Sequence, residues 1–317
     1  MREMNLKEFK NCKLCEWKCG VNRIKGERGV CRSTLPEIAY TSITYLLKTY
    51  AITFLGCSFR CFYCNAYRIS QYPDTGWIYR GYVEPEKLGK EILRQLESKI
   101  AKKIGVSGIS FTGGEPSIHL PYIEEVIKYV TEEKENLRIG FATNGFATKK
   151  TFKKLVKIAS FINFEIKAFD NDIHQNLTGA PVDPVLRNAE YLAKNHPEKI
   201  RVFRSVVIPK ITDSQVLKIA EFIKDIDPSL NYKLIGFRPN FVLYYHAGPS
   251  KKLMEKLVKK CKEIGLKNVN YSGYYPKEMK NIDEYVKKIG CPMPRNCGKC
   301  KFKHECKAVL MEPWLFK

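Results

Sequence analysis

From residue 51 onward the chain alternates short β-rich apolar runs with longer segments of helical periodicity, a rhythm that constrains the fold more than any single motif. The strand-like runs are AITFLG, VSGISF, LRIGFAT, FINFEIK, IRVFRSVVI and YKLIGFRP. Between them lie PEKLGKEILRQLESKIAKK, LPYIEEVIKYVTEEK, TKKTFKKLVKIA, DPVLRNAEYLAKN and DSQVLKIAEFIKDI. Each shows apolar residues three and four apart, with Thr or Asp starts that supply N-caps. Consecutive β-α units of this kind predict a parallel sheet. Six such strands are too few for a complete eight-unit barrel. Open and barrel α/β folds hold ligands at the carboxyl ends of their strands, so the segment after each run is where chemistry is expected.

After the first run comes GCSFRCFYC, which spaces Cys57, Cys61 and Cys64 as C-x3-C-x2-C. Three thiolates hold three irons of a 4Fe-4S cubane and leave the fourth open to a substrate or cofactor. The alternative is a zinc knuckle, but tetrahedral zinc takes four ligands. FTGGEPS follows the second run with Gly113, Gly114, Glu115 and Pro116. The glycines allow close backbone approach and Glu115 offers a carboxylate to an ammonium; alone, the motif reads as a turn. ATNG follows the third run, with Thr143 and Asn144 as hydrogen-bonding groups before Gly145, or simply as an Asn-Gly turn. FEIKAFD places Glu165 and Lys167 on one side of the fourth strand. FRSVVIP brings Arg204, suited to bidentate pairing with a carboxylate or to a strand salt bridge. Arg238 and His246 follow the sixth run, the latter as a substrate-side candidate.

The chain has 317 residues and 12 cysteines, and all but Cys261 fall into three groups. Cys12, Cys15, Cys19 and Cys31 precede the triad, and Cys291, Cys297, Cys300 and Cys306 follow it at the far end. Cys261, in a helical stretch, reads as a small buried apolar residue. MREMNLKEFK carries no apolar signal segment and no run is long enough to span a membrane, which predicts a soluble cytoplasmic protein with metal sites rather than disulfides. Each four-cysteine group permits a fully ligated 4Fe-4S cluster or tetrahedral zinc. His304 is a spare ligand at the C-terminal group. The formal charge of +22 suits nucleic acid or acidic partners, but the lysines are scattered over helix faces such as KKTFKKLVK. Three regions follow: a cysteine-rich 1–46, the β-α units over 47–250, and a helix with a cysteine-rich extension over 251–317.

The C-x3-C-x2-C triad, with GGE one strand later and the motifs after it, resembles the radical S-adenosylmethionine (SAM) superfamily. About residues 50 to 250 resemble its pyruvate formate-lyase activating enzyme family. The resemblance implies an α/β fold, a partial (β/α)6 TIM-like barrel with small N- and C-terminal iron-sulfur or zinc extensions. It implies that SAM chelates the open iron through its amino and carboxylate groups and that Tyr63 contacts adenine. Gly113, Gly114 and Glu115 would bind the SAM amino group, Thr143 and Asn144 the ribose or methionine part, and Arg204 the SAM carboxylate. Similar activases carry Asp-x-Lys where this chain has Glu165 and Lys167, with the acid oriented to the cofactor region or a cation. CKLCEWKCGVNRIKGERGVCR looks like the leader of a less characterised activase-like subgroup. The chain lacks the ferredoxin-like insert that glycyl-radical activases with extra clusters carry after the triad. CPMPRNCGKCKFKHEC instead resembles the auxiliary-cluster extensions of peptide-modifying enzymes.

The expected activity is reductive cleavage of SAM to a 5′-deoxyadenosyl radical, which takes hydrogen from a peptide or protein. The reductant would be a ferredoxin- or flavodoxin-type partner. The alternatives are radical modification of tRNA or other RNA, and an iron-sulfur or zinc binding protein without turnover.

Overall fold

The computed structural model describes residues 7–71 and 79–274, so Cys291, Cys297, Cys300, His304 and Cys306 lie outside the described residues. Nine strands form one sheet: β1 (Glu37–Thr44), β2 (Thr49–Phe54), β3 (Gly81–Tyr82), β4 (Gly108–Gly113), β5 (Arg138–Thr143), β6 (Phe161–Glu165), β7 (Ile200–Val207), β8 (Tyr232–Gly236) and β9 (Val269–Ser272). Their order is β3-β1-β2-β4-β5-β6-β7-β8-β9, and the described sheet does not close on itself. From β2 to β9 every pairing is parallel, whereas β1 pairs antiparallel with both β2 and β3. All six expected strands are present, in the expected parallel order.

The helices are α1 (Lys7–Lys10), α2 (Tyr67–Ser70), α3 (Pro85–Leu96), α4 (Lys99–Ile104), α5 (Leu120–Glu133), α6 (Lys149–Ile158), α7 (Asn171–Thr178), α8 (Asp183–Asn195), α9 (Asp213–Ile226) and α10 (Lys251–Ile264). Where a single helix is expected over 85–103, the chain makes two. The Ser98 hydroxyl accepts from Ala101 N, which caps α4 and turns the backbone extended at that point. Thr148 and Ser250 cap α6 and α10 in the same way. The sheet crosses both boundaries drawn from sequence, because β1 precedes residue 47 and β9 follows residue 250. Among the described residues no helix is long and apolar enough to cross a membrane.

Alternation along β6 and β7 assigns the two faces of the sheet. Phe164 packs edge-on against Phe152 of α6, with ring centroids 5.8 Å apart, so it faces the helices. Glu165 therefore points to the opposite, concave face. Its register partner is Arg204, which places these two side chains together there.

Candidate functional site

β2 is buried along its whole length and delivers the chain through Leu55 and the left-handed Gly56 into the cysteine loop. Cys57 and Cys61 are buried and Cys64 is half-buried, and all three line one cavity of about 290 Å³. Inside the loop, Cys64 N donates to Cys61 O at 3.2 Å, and Phe59 N donates to Cys57 Sγ at 3.4 Å. The Ser70 hydroxyl lies 3.3 Å from Cys64 Sγ. Burial pushes the Cys57 thiol well above its ordinary pKa, with Cys61 adding to the rise. Burial lifts Cys61 to about 12 against the pull of Lys167, and lifts Cys64 against its bond to Ser70. Three crowded, desolvated thiols hold their protons until a soft cation replaces them. Among the described residues, no three His, Cys, Asp or Glu side chains converge so as to hold one metal ion. Three thiolates on one cavity are one ligand short of tetrahedral zinc and match the three protein ligands of a cubane with an open iron.

The GGE segment is built into this loop. Gly114 N donates to Phe54 O and Glu115 N to Gly56 O, both at 3.0 Å. A Cβ on Gly113 would lie 2.2 Å from Phe54 O, and one on Gly114 only 1.8 Å from Gly56 O. The close approach that requires glycine is thus to the backbone leading into Cys57. Glu115 is fully buried. Its Oε1 accepts from Ser117 N at 3.0 Å and from the Thr143 hydroxyl at 2.7 Å, and its Oε2 accepts from Asn144 N at 2.7 Å. Burial raises its pKa, with these donors opposing the rise. The carboxylate thereby clamps the β4 loop to the β5 loop.

Asn144 carries that clamp to the sulfurs. Its Oδ1 accepts from Phe146 N at 2.9 Å, which fixes the turn. Its Nδ2 lies 3.0 Å from Ser58 Oγ and 3.7 Å from Cys57 Sγ. A donor on a metal-bound thiolate orients the ligand and stabilises its charge, so Asn144→Ala is expected to speed iron loss about 10- to 100-fold. Iron release during a chelator challenge measures it; wild-type kinetics in the variant would remove Asn144 from this role.

Across the cavity, Glu165 bridges two cations, pairing with Lys167 Nζ and, at 2.7 Å, with Arg204 Nη2. Burial would raise Glu165, but Lys167 and then Arg204 outweigh it and hold it at about 2. Burial would lower Lys167, but the Glu165 carboxylate keeps it well above its ordinary value. Two cations against one carboxylate leave a single positive charge facing the cysteine loop. On this same cavity, Arg204 Nε and the Tyr63 hydroxyl are buried and find no hydrogen-bond partner among the described residues. A buried donor on a cationic group with no acceptor is the feature an anionic ligand would satisfy.

The cavity also brings in Arg238, Ser205, Asn65 and Asn240. His246 is not among its lining residues: its Nε2 donates to Pro209 O at 2.9 Å and its ring packs near Phe237, so it supports the loop after β8. A larger groove of about 560 Å³ between α8 and α9 is crossed by the Asp170–Lys218 ion pair and holds none of the residues expected from sequence.

The family model "Radical SAM superfamily" matches residues 51–223. An uncharacterised protein of Methanocaldococcus jannaschii is 25% identical over 271 residues, covering 82% of this chain and 75% of its own. The pyruvate formate-lyase-activating enzyme of Staphylococcus epidermidis is 28% identical over 189 residues, covering 57% of this chain and 71% of its own. Among solved structures, Streptococcus suis SuiB bound to its precursor peptide SuiA superposes with a TM-score of 0.52 at 18% identity. It covers 68% of this chain and 46% of SuiB, a likeness of fold. The matched span runs from within β2, the strand that delivers Cys57, into α9, and so contains the triad, the Glu115 clamp and the Glu165 bridge; the chain belongs to the radical SAM superfamily.

Proposed function

We propose that this radical SAM enzyme acts on a peptide or protein. The observation that carries the reading is the surface next to the cavity-lining residues Ala66 and Asn240. There the loop after β8 stacks Phe241 on Tyr67 of α2, with centroids 4.6 Å apart, and exposes Val242 and Tyr245. Val242 N donates to Phe62 O at 3.2 Å, so this apolar rim is fastened to the cysteine loop itself. An exposed apolar surface beside the cavity suits an extended macromolecule. The segment FRPNFVLYYHAG contains one arginine and no lysine, which gives an RNA backbone little to hold. The Staphylococcus relative is named for activating a protein, and SuiB was solved with a precursor peptide, in keeping with a macromolecular substrate.

In this reading Cys57, Cys61 and Cys64 hold a 4Fe-4S cluster, and SAM binds over it. The bound cofactors supply reductive cleavage of SAM and a carbon radical able to take hydrogen from the substrate. The chain's residues bind and shield. Arg204 and Lys167, partly neutralised by Glu165, receive the SAM carboxylate, and Tyr63 packs beside the adenine. Gly113 and Gly114 hold the loop against which the amino group docks, with Glu115, Thr143 and Asn144 fixing that loop to the sulfurs. The buried walls exclude water from the reacting carbon. A ferredoxin- or flavodoxin-type protein supplies the electron. The four-cysteine groups at Cys12, Cys15, Cys19, Cys31 and at Cys291, Cys297, Cys300, Cys306 hold accessory 4Fe-4S or zinc centres.

Incubating reduced enzyme and SAM with size-fractionated extract, and following 5′-deoxyadenosine, tests the substrate class. Stimulation by a protease-sensitive fraction is expected. Stimulation lost to ribonuclease but not to protease, with salt-sensitive tRNA binding, would replace the peptide reading with RNA modification.

A further inference from the structure

We propose that Cys12, Cys15, Cys19 and Cys31 form an anionic tetrathiolate metal centre whose buried counter-cation is Arg23, and that this centre clasps the Cys57 loop. The inference builds on the accessory-centre reading and is independent of the substrate.

The four thiols come together through backbone turns. Cys12 N donates to Val21 O and Gly20 N to Cys12 O, both at 3.0 Å, and Lys18 N donates to Cys15 O at 3.0 Å. A Cβ on Gly29, two residues before Cys31, would lie 2.6 Å from Cys19 Sγ, so the second half of the knuckle packs directly on the first. The Arg23 guanidinium sits under this group with no exposed surface. Its Nε donates to Thr34 O at 2.7 Å and its Nη1 to Ile118 O, while Nη2 lies 3.2 Å from His119 Nδ1. The guanidinium lies over the Phe9 ring, with Nη1 3.9 Å from Cys12 Sγ. Among the described residues no carboxylate pairs with it. A buried cation needs a counter-charge. Four neutral thiols provide none, whereas four thiolates around iron-sulfur or zinc leave a net negative charge beside Cys12.

The same residues reach the first cluster site. His119 Nδ1 accepts from Arg23, so its Nε2–H donates to Leu55 O at 2.8 Å, two residues before Cys57. Ser33 Oγ contacts Leu55 O at 3.4 Å and fills the space beside Gly56. Trp17 Nε1 donates to Ser58 O, and Arg60 Nη2 to Val30 O, each at 2.8 Å.

The test uses intact protein isolated anaerobically with its metals. Cys19 is the exposed member of the group. Alkylation of Cys19, followed by peptide mass spectrometry, is expected to run at least about tenfold slower than after metal removal by a chelator. Its release accompanies loss of about four irons, or of one zinc if the metal is zinc. Arg23→Met is expected to lose that metal about tenfold faster than wild type, and Arg23→Lys less so. Alkylation of Cys19 at the free-thiol rate in fully metallated wild type would overturn the proposal. So would unchanged metal loss in Arg23→Met. SAM cleavage by wild-type protein tests the proposed function separately, so failure of either outcome leaves that reading standing.

Discussion

Replacing Cys57 by Ala is expected to bring SAM cleavage down to the level of the no-enzyme control and to remove about four irons per chain. Two thiolates cannot hold a cubane whose fourth iron is already without a protein ligand, so the loss should be complete rather than graded. The neighbouring contacts make this position severe. Cys57 Sγ receives Phe59 N and faces Asn144 Nδ2, and its loop is seated on Gly114 through Gly56. Iron analysis and electron paramagnetic resonance of the dithionite-reduced variant check it. A folded variant that keeps the wild-type iron count and SAM turnover would move the open cluster elsewhere in the chain.

Glu165→Ala is expected to destabilise the protein and to expose the charge balance of the cavity. It leaves Lys167 and Arg204 facing each other without the carboxylate that separates them. Breaking a buried pair costs roughly 3–5 kcal/mol, but this carboxylate is 31% exposed toward the cavity, so about 1–3 kcal/mol is expected. The pH dependence has a definite sign. The folded pKa of about 2 lies below the ordinary 4.5, so the stabilisation is full above about pH 4.5 and fades as pH falls toward 2. Denaturant midpoints for wild type and Glu165→Ala should therefore differ at pH 7 and draw together below pH 4.5. Equal midpoints at pH 7 would show that solvent already screens the bridge.

The parallel strands were legible because buried parallel strands read as continuous apolar runs bounded by helical periodicity. β1 was not, since EIAYTSIT alternates polar and apolar residues at the sheet's antiparallel side and lies before the β-α rhythm begins. β9 is four residues long, and α7, with NDIHQNLT, lacks an apolar stripe. In the cavity, residue types were readable but partners were not. Glu115 looked like a carboxylate for a ligand ammonium, yet its three donors come from its own loop and from Thr143 and Asn144, nearly thirty positions away. Asn144 looked like half of a turn and does make one, but its amide also reaches Ser58 and Cys57. Arg23 and His119 carried no signal, because their importance comes from burial between two loops that only the fold brings together. His246 was drawn toward the site by proximity in sequence, and the Pro209 carbonyl holds it elsewhere.

The most direct test is to incubate the anaerobically reduced wild-type protein with SAM and quantify 5′-deoxyadenosine and methionine. The structure predicts both products in equal amounts, formed only when the cluster is reduced. A protein with a reduced, fully occupied cluster and bound SAM that yields neither product would contradict the account.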